Sequence, residues 1–394
     1  MSFCGMVVVR LPSSILSTMN EPLYPAARIF AGKIAEQFES RADECMAKSR
    51  KDGPLPDPAA VEALVDVAFW ASLQREEGYA PEISLAFLPP ERAVRPLLFA
   101  SPLPLSPRAL ARLAPAVERP GIHLGVWRDG DRMTVWGTTR VVPRFCLVVE
   151  VLGPGLIVVK HRTRDESAKF RNVAVFEGEQ VKIVDRDSVD VSDHRARLLT
   201  SLLAPESLLP TDDKVEVLLK LSVSMRAHKR GGTLLVVPAG DQAWRESIVR
   251  PVAYAVEPPF RELAELAEDA DPETGAPEAL GRVVEAVAGL TAVDGATVIN
   301  DRYELLAFGV KIGRPEGRPQ IERLILTEPI EGCAPSVVAP VQLGGTRHIS
   351  AAQFAQDQPD AVALVASQDG RFTILAWSPR EGMVHAHRVE ALLL

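Results

Sequence analysis

An α/β fold in two successive domains is what this chain predicts, on three observations. Its 394 residues correspond to about two or three domains at roughly 150 residues each. Hydrophobic residues make up 47% and charged residues 24%, a balance that supports sizeable cores and excludes a mainly disordered or fibrous chain. Helical apolar spacing alternates along the sequence with short runs of valine, isoleucine and tryptophan between glycine turns, so both halves mix helices with strands. The expected division is a mixed α/β domain over 1–205, then a mixed-sheet domain flanked by helices over 206–394.

The first helix is expected over 25–47, where Ala26, Phe30, Ile34 and Phe38 recur every four residues on one slowly drifting face. KDGPLPDP at 51–58 interrupts it, since proline and glycine cannot continue the pattern. Ala59 to Gln74 reads as a second, nearly all-apolar helix, hence an internal support. ISLAFLP, after Gly78, reads as a strand, and Pro102, Pro104 and Pro107 punctuate the approach to a short helix over Arg108–Val117. From Gly121 to Val184 the runs IHLGVWR, MTVWGTT, FCLVVEVL, LIVVKH, VAVFEG and VKIV lie between DG, GPG and EGE turns. That spacing predicts a meander of antiparallel strands.

Two helices follow, over 187–203 and 211–229, with Thr211 as cap and Asp212 and Asp213 at the favourable positive end of the second. Pro210 marks a linker before that cap. The second domain then reads as a strand at Thr233–Val237, helices around Phe260–Ala270 and Pro277–Leu290, and strands at 297–300, 304–309, 361–366 and 371–376. A helix is expected over Ser350–Gln356, ending before Pro359.

The net charge of −8 excludes a uniformly basic nucleic-acid surface but leaves room for a local positive pocket. Cys4, Cys45, Cys146 and Cys333 are too few and too scattered for a disulfide framework or metal cluster. The opening MSFCGMVVVRLPSS lacks the basic and long apolar regions of a secretory signal, and no run reaches the roughly 20 apolar residues of a membrane span. A soluble, cytoplasmic protein is expected.

Two segments carry the candidate chemistry. VDGATVINDRYELLAFGVKI at 293–312 reads as a turn, a strand, a tight turn and a second strand, with Asp294 at the mouth of the first strand. GGTRHISAAQF at 344–354 reads as a glycine loop feeding a helix. A carboxylate at a strand edge can bind a divalent ion or accept a proton, and a glycine loop with Thr, Arg and a helix start can hold anionic oxygens. Together they describe a nucleotide phosphate site. HKRGG at 228–232 reads either as a positive rim to that site or, more simply, as basic residues favourable at a helix C-terminus. His385 and His387 alternate along VHAHRV without a third ligand at metal-site spacing, and GPG at 153–155 is a turn without the helix of a dinucleotide fingerprint.

On these residues the C-terminal half resembles the diadenylate cyclase family. Asp294, Gly295 and Ala296 stand as its DGA motif, and Gly345, Thr346, Arg347 and His348 as the start of its GTRHR motif. DAVALVASQDGRFTILAW at 360–377 and GGTLLVV at 231–237 match its supporting strands, over roughly residues 210–380. The resemblance implies a mixed α/β domain that joins two ATP molecules into cyclic di-AMP with release of two pyrophosphates, in a face-to-face homodimer and with Mg²⁺ or Mn²⁺. It implies Asp294, Gly295, Ala296, Arg347 and His348 as catalytic residues, and Gly345, Thr346, Arg347, His348, Ser350 and Ser367 around the nucleotide. Asp294 and His348 would face the metal.

Three positions depart from the family pattern. Ile349 replaces the last arginine of RHR, Val293 replaces a histidine before DGA, and Gln368 replaces an acidic residue after Ser367, although Asp369 follows. Ser350 offers a neutral hydrogen bond but not a forked cation. These departures keep open a catalytically silent adenine-nucleotide-binding regulatory protein, with a structural interaction module as a third alternative. FWASLQREEGYAPEISLAFLP at 69–89 is similar to the sensor domain that accompanies some diadenylate cyclase domains, which implies an unidentified small-molecule or protein signal for the first domain. Within it, Arg75, Glu76 and Glu77 read as the solvated end of a helix.

Overall fold

The computed structural model describes residues 23–44, 53–75, 78–119, 121–130, 132–162, 170–185, 213–268 and 276–393. The chain divides into two compact units, one ending at Val184 and the other running on from Asp185. The boundary expected at 205/206, Pro210 with the cap Thr211, and the helix expected over 187–203 lie outside the described residues. Each unit is α/β, a mixed β-sheet flanked by helices.

The first unit holds α1 (Pro25–Glu44), α2 (Pro58–Ser72), β1 (Ile83–Phe87), β2 (Leu97–Pro104), α3 (Pro107–Leu113), β3 (His123–Asp129), β4 (Arg132–Thr139), β5 (Leu147–Gly153), β6 (Leu156–Arg162), β7 (Phe170–Glu177) and β8 (Gln180–Ile183). Asp57 starts α2 by accepting a 2.8 Å bond from the Ala60 N–H, and Pro58 supplies the fixed φ of the first turn. Val61, Leu64, Val65 and Ala68 are then fully buried against Leu85, Val149 and Val159. Burial of each such Val or Leu stabilises by roughly 1.5–3 kcal/mol.

The expected antiparallel meander is cut in two. The sheet order is β2-β4-β3-β1-β5-β6-β7-β8, with β1 parallel to β3 and antiparallel to β5. All five residues of β1 are buried, so its apolar content belongs to the centre of a sheet rather than to its start. β2 was expected as a proline-punctuated connection. It is an edge strand, where Pro102 and Pro104 are tolerated because one row of backbone groups has no neighbour to serve.

The second unit holds α4 (Asp213–Ala227), β9 (Gly232–Val237), β10 (Tyr254–Phe260), α5 (Glu262–Glu268), α6 (Ala276–Leu290), β11 (Ala296–Asn300), β12 (Leu305–Val310), β13 (Leu324–Thr327), β14 (Ser336–Val338), α7 (Thr346–Asp357), β15 (Val362–Ala366), β16 (Phe372–Ser378), β17 (Met383–Arg388) and α8 (Glu390–Leu393). Its nine-stranded sheet has the order β10-β12-β11-β9-β15-β16-β17-β13-β14. β9 is buried along its whole length. Leu234 and Val236 pack with α4, α5 and α6, while Leu235 and Val237 pack with Ala351, Phe354 and Ala355 of α7 on the opposite face. A central strand covered on both faces reads as an unbroken apolar run, as GGTLLVV does.

Two expectations change here. Phe260 ends edge strand β10, where Pro258 and Pro259 sit, and the helix expected from 260 is the shorter α5. The helix expected from Ser350 begins at Thr346, so TRH forms its first turn rather than the loop before it. Gly345 stands at the N-cap, and the His348 and Ile349 N–H groups bond back to its carbonyl. Among the described residues no helix is long and apolar enough to cross a membrane.

Candidate functional site

Register places the DGA segment at one end of the nine-stranded sheet, and Arg347 of the second segment reaches the same end beside Gly231. β9 and the parallel β11 both begin there, with Thr297 beside Leu234. β15 finishes there, with Ala366 opposite Gly232, and β16 starts there, with Phe372 opposite Ala366. β12 also ends there, with Val310 opposite Ala296. Gly231, Gly295, Lys311, Ser367 and Arg371 therefore share one rim.

Asp294 is an exposed carboxylate whose Oδ2 lies 2.5 Å from Nζ of Lys311. The hydrogen bond and charge of Lys311, with a smaller contribution from Arg347, hold its pKa below the ordinary value for aspartate. Gly295 has φ +129°, and a Cβ there would stand 2.5 Å from the Gly309 carbonyl carbon, so only glycine lets the turn lie against β12. Ala296 is buried as the first residue of β11.

Thr346 is exposed and Arg347 half-buried in the first turn of α7, whose leading N–H groups no side chain caps. The Arg347 guanidinium reaches back over β9, and a Cβ on Gly231 would lie 3.0 Å from its Nη1. The other atoms nearest that point are the Ala366 carbonyl and the side chain of Gln368. Ser367 follows β15 in the turn to β16, where its side chain bonds Asp369 and its N–H donates to the Arg371 carbonyl at 2.9 Å. Ile349 and Ser350, two and three residues beyond Arg347 on α7, are half-buried.

His348 is 3% exposed. Its Nε2 lies 3.3 Å from Thr373 Oγ1, and a Cβ on Gly344 would come within 2.6 Å of its Nδ1. Burial, reinforced by the nearby Arg388, depresses its pKa to about 4, so at neutral pH the imidazole is uncharged. Arg347 is therefore the cation that this turn offers to solvent, while His348 fixes the turn to the sheet.

No set of three or more His, Cys, Asp or Glu side chains among the described residues is arranged to hold a metal ion. Asp294 is a carboxylate of the kind a hard divalent ion takes beside phosphate oxygens and water, and its Oδ2 is engaged by Lys311. Of the His348 ring nitrogens, Nε2 is engaged by Thr373 Oγ1 and Nδ1 faces Gly344.

Sequence reading did not single out Lys311. The signal was present: 293–312 reads as a hairpin, and pairing Ala296 with Val310 puts the next residue, Lys311, beside the DGA turn. The HKRGG turn, read mainly as a helix end, also comes to the rim through Gly231.

Residues 50–140 match the family described as probable sensor domain DACNV. No curated protein matches the chain. Among solved structures, the chain is similar to a hypothetical membrane spanning protein from Bacillus cereus, at 15% identity and TM-score 0.26, over 48% of this chain and 67% of that one. It is also similar to DacA from Staphylococcus aureus, at 13% identity and TM-score 0.24, over 44% of this chain and 85% of that one.

Proposed function

We propose that the second unit binds ATP and, paired face to face with a second copy, condenses two ATP molecules into cyclic di-AMP. The observation that carries this reading is the convergence of Asp294–Gly295 and Thr346–Arg347 on one rim of the sheet, in the order and context of the motifs described above. Arg347 stands on that rim with Lys311, which is paired with Asp294, and Arg371, which is paired with Asp369, an excess of one cation for a polyphosphate to meet.

In this reading Arg347 and the leading N–H groups of α7 hold phosphate oxygens, and Gly295 allows close approach of the ribose. Asp294 would accept the proton of a 3′-hydroxyl. That hydroxyl attacks the α-phosphorus of the ATP on the facing copy, a new P–O bond forms, and the bond to pyrophosphate breaks. Repetition in the other direction closes the ring, so one copy alone lacks the second reactant. Mg²⁺ or Mn²⁺, when bound at Asp294, supplies neutralisation of the phosphate charge. The first unit, whose residues 50–140 match a probable sensor family, would regulate this reaction in response to a small-molecule or protein signal.

The test is incubation of the full chain with ATP and either Mg²⁺ or Mn²⁺, following ATP and cyclic di-AMP by chromatography and mass spectrometry. Product is expected from the native chain, with a rate per copy that rises with protein concentration, and is expected to fall at least a hundredfold in Asp294→Asn. Equal turnover by that variant would remove Asp294 from the chemistry.

A second reading is a catalytically silent adenine-nucleotide-binding regulator. The engagement of Asp294 by Lys311, together with Ile349 and Val293 at motif positions, favours it. ATP binding without product at every protein concentration would select it.

A further inference from the structure

The turn that links α4 to β9 is built as if to present one side chain. α4 ends at Ala227, and Lys229 and Gly231 both take positive φ, +53° and +70°. His228 clamps the turn from inside. The Arg230 N–H donates to its Nδ1 at 3.2 Å, and its Nε2 lies 3.3 Å from Thr291 Oγ1. The Thr291 hydroxyl already donates to the Ala288 carbonyl at 2.6 Å, so it accepts from Nε2–H. His228 is thereby fixed as the neutral Nε2–H tautomer, with both nitrogens used. On the other side Gln368 Nε2 donates to the Arg230 carbonyl at 3.3 Å. The backbone of Arg230 is held at both its N–H and its C=O while its side chain is exposed.

Arg347 comes to the next residue of this turn, Gly231. A Cβ on Gly231 would lie 3.0 Å from Arg347 Nη1, and adjacent Cα atoms are about 3.8 Å apart, which puts the Arg230 Cα within about 8 Å of the Arg347 guanidinium. Among the described residues neither guanidinium has a hydrogen-bond or ion-pair partner. Burial lowers the pKa of His228, and the charges of Arg230 and Arg347 lower it further. Two guanidinium groups that both act on one imidazole repel one another, and an anion between them would relieve that repulsion.

We propose that Arg230 is a second polyphosphate-binding side chain, paired with Arg347 across Gly231, with His228 as its positioning residue. This rests on the nucleotide reading of the same rim. It also gives a source for the forked cation that Ile349 removes from α7.

The experiment is calorimetric titration of the full chain with inorganic tripolyphosphate and with ATP, with each variant's thermal unfolding as a check on folding. Arg230→Ala is expected to weaken tripolyphosphate binding tenfold or more and to flatten its salt dependence. Lys229→Ala, on the same turn, should stay within twofold of the native chain. His228→Ala should weaken binding by less than Arg230→Ala while leaving the salt dependence in place. Binding by Arg230→Ala within twofold of native, while Arg347→Ala loses it, would overturn this proposal alone. So would an equal loss in Lys229→Ala, which would mean diffuse charge rather than a directed contact. A native chain that binds neither tripolyphosphate nor ATP would overturn both this proposal and the nucleotide reading.

Discussion

Asp294 and Lys311 form a pair on the rim in which a candidate reactive group is already engaged, and their chemistry can be tested without turnover. Lys311→Gln removes the hydrogen-bonding cation that contributes most to the low pKa of Asp294. The Asp294 carboxyl should then titrate closer to the ordinary aspartate value, read by carboxyl-carbon NMR. An unmoved titration would mean that Lys311 does not hold it in solution. Gly295 is constrained by space as well as by φ. Gly295→Ala puts a Cβ against the Gly309 carbonyl, and the strained backbone alone costs about 1–3 kcal/mol, so the second unit should melt several degrees lower. The DGA residues stood out in the sequence because the resemblance marked them. Lys311 did not, because its role follows from strand pairing rather than from a motif.

Helix starts show what elements do for these residues. Asp57 caps α2 and also pairs with Arg128 on β3. Asp57→Ala should cost about 1 kcal/mol through the lost cap, measured by chemical denaturation, with little added by the exposed ion pair. α7 begins without a side-chain cap at Gly345, and its first turn is tied down instead by His348 beneath the sheet end. Central strands such as β9 and β15 could be read from their unbroken apolar runs. Edge strands β2 and β10 could not, since their prolines and exposed residues resemble loops until a neighbouring strand on one side is known.

At the scale of the whole molecule, three buried imidazoles make both units sensitive to acid. His123 in the first unit and His348 in the second are depressed to about 4, and His387 to about 3, in each case chiefly by burial. An unfolded chain takes up these protons below about pH 6.5, before the folded chain does, so stability is full above that pH and falls as pH drops toward 4. For His348 the fall amounts to about 3 kcal/mol over that window. Thermal unfolding from pH 7 to 4 should show the loss, and His348→Gln should lessen it for the second unit while His387 keeps the rest; an unchanged slope would place the loss in other groups. The sequence by itself determined the two-part α/β composition, the central apolar strands and the residues of the two motif segments, because each depends on local periodicity or on residue type at a fixed spacing. Only the tertiary structure decided that β1 splits the meander, that His348 turns inward while Arg347 faces out, and that the HKRGG turn stands beside Arg347. Those outcomes depend on which strands become neighbours, and strand pairing brings together residues more than a hundred positions apart that carry no mark of it in the chain.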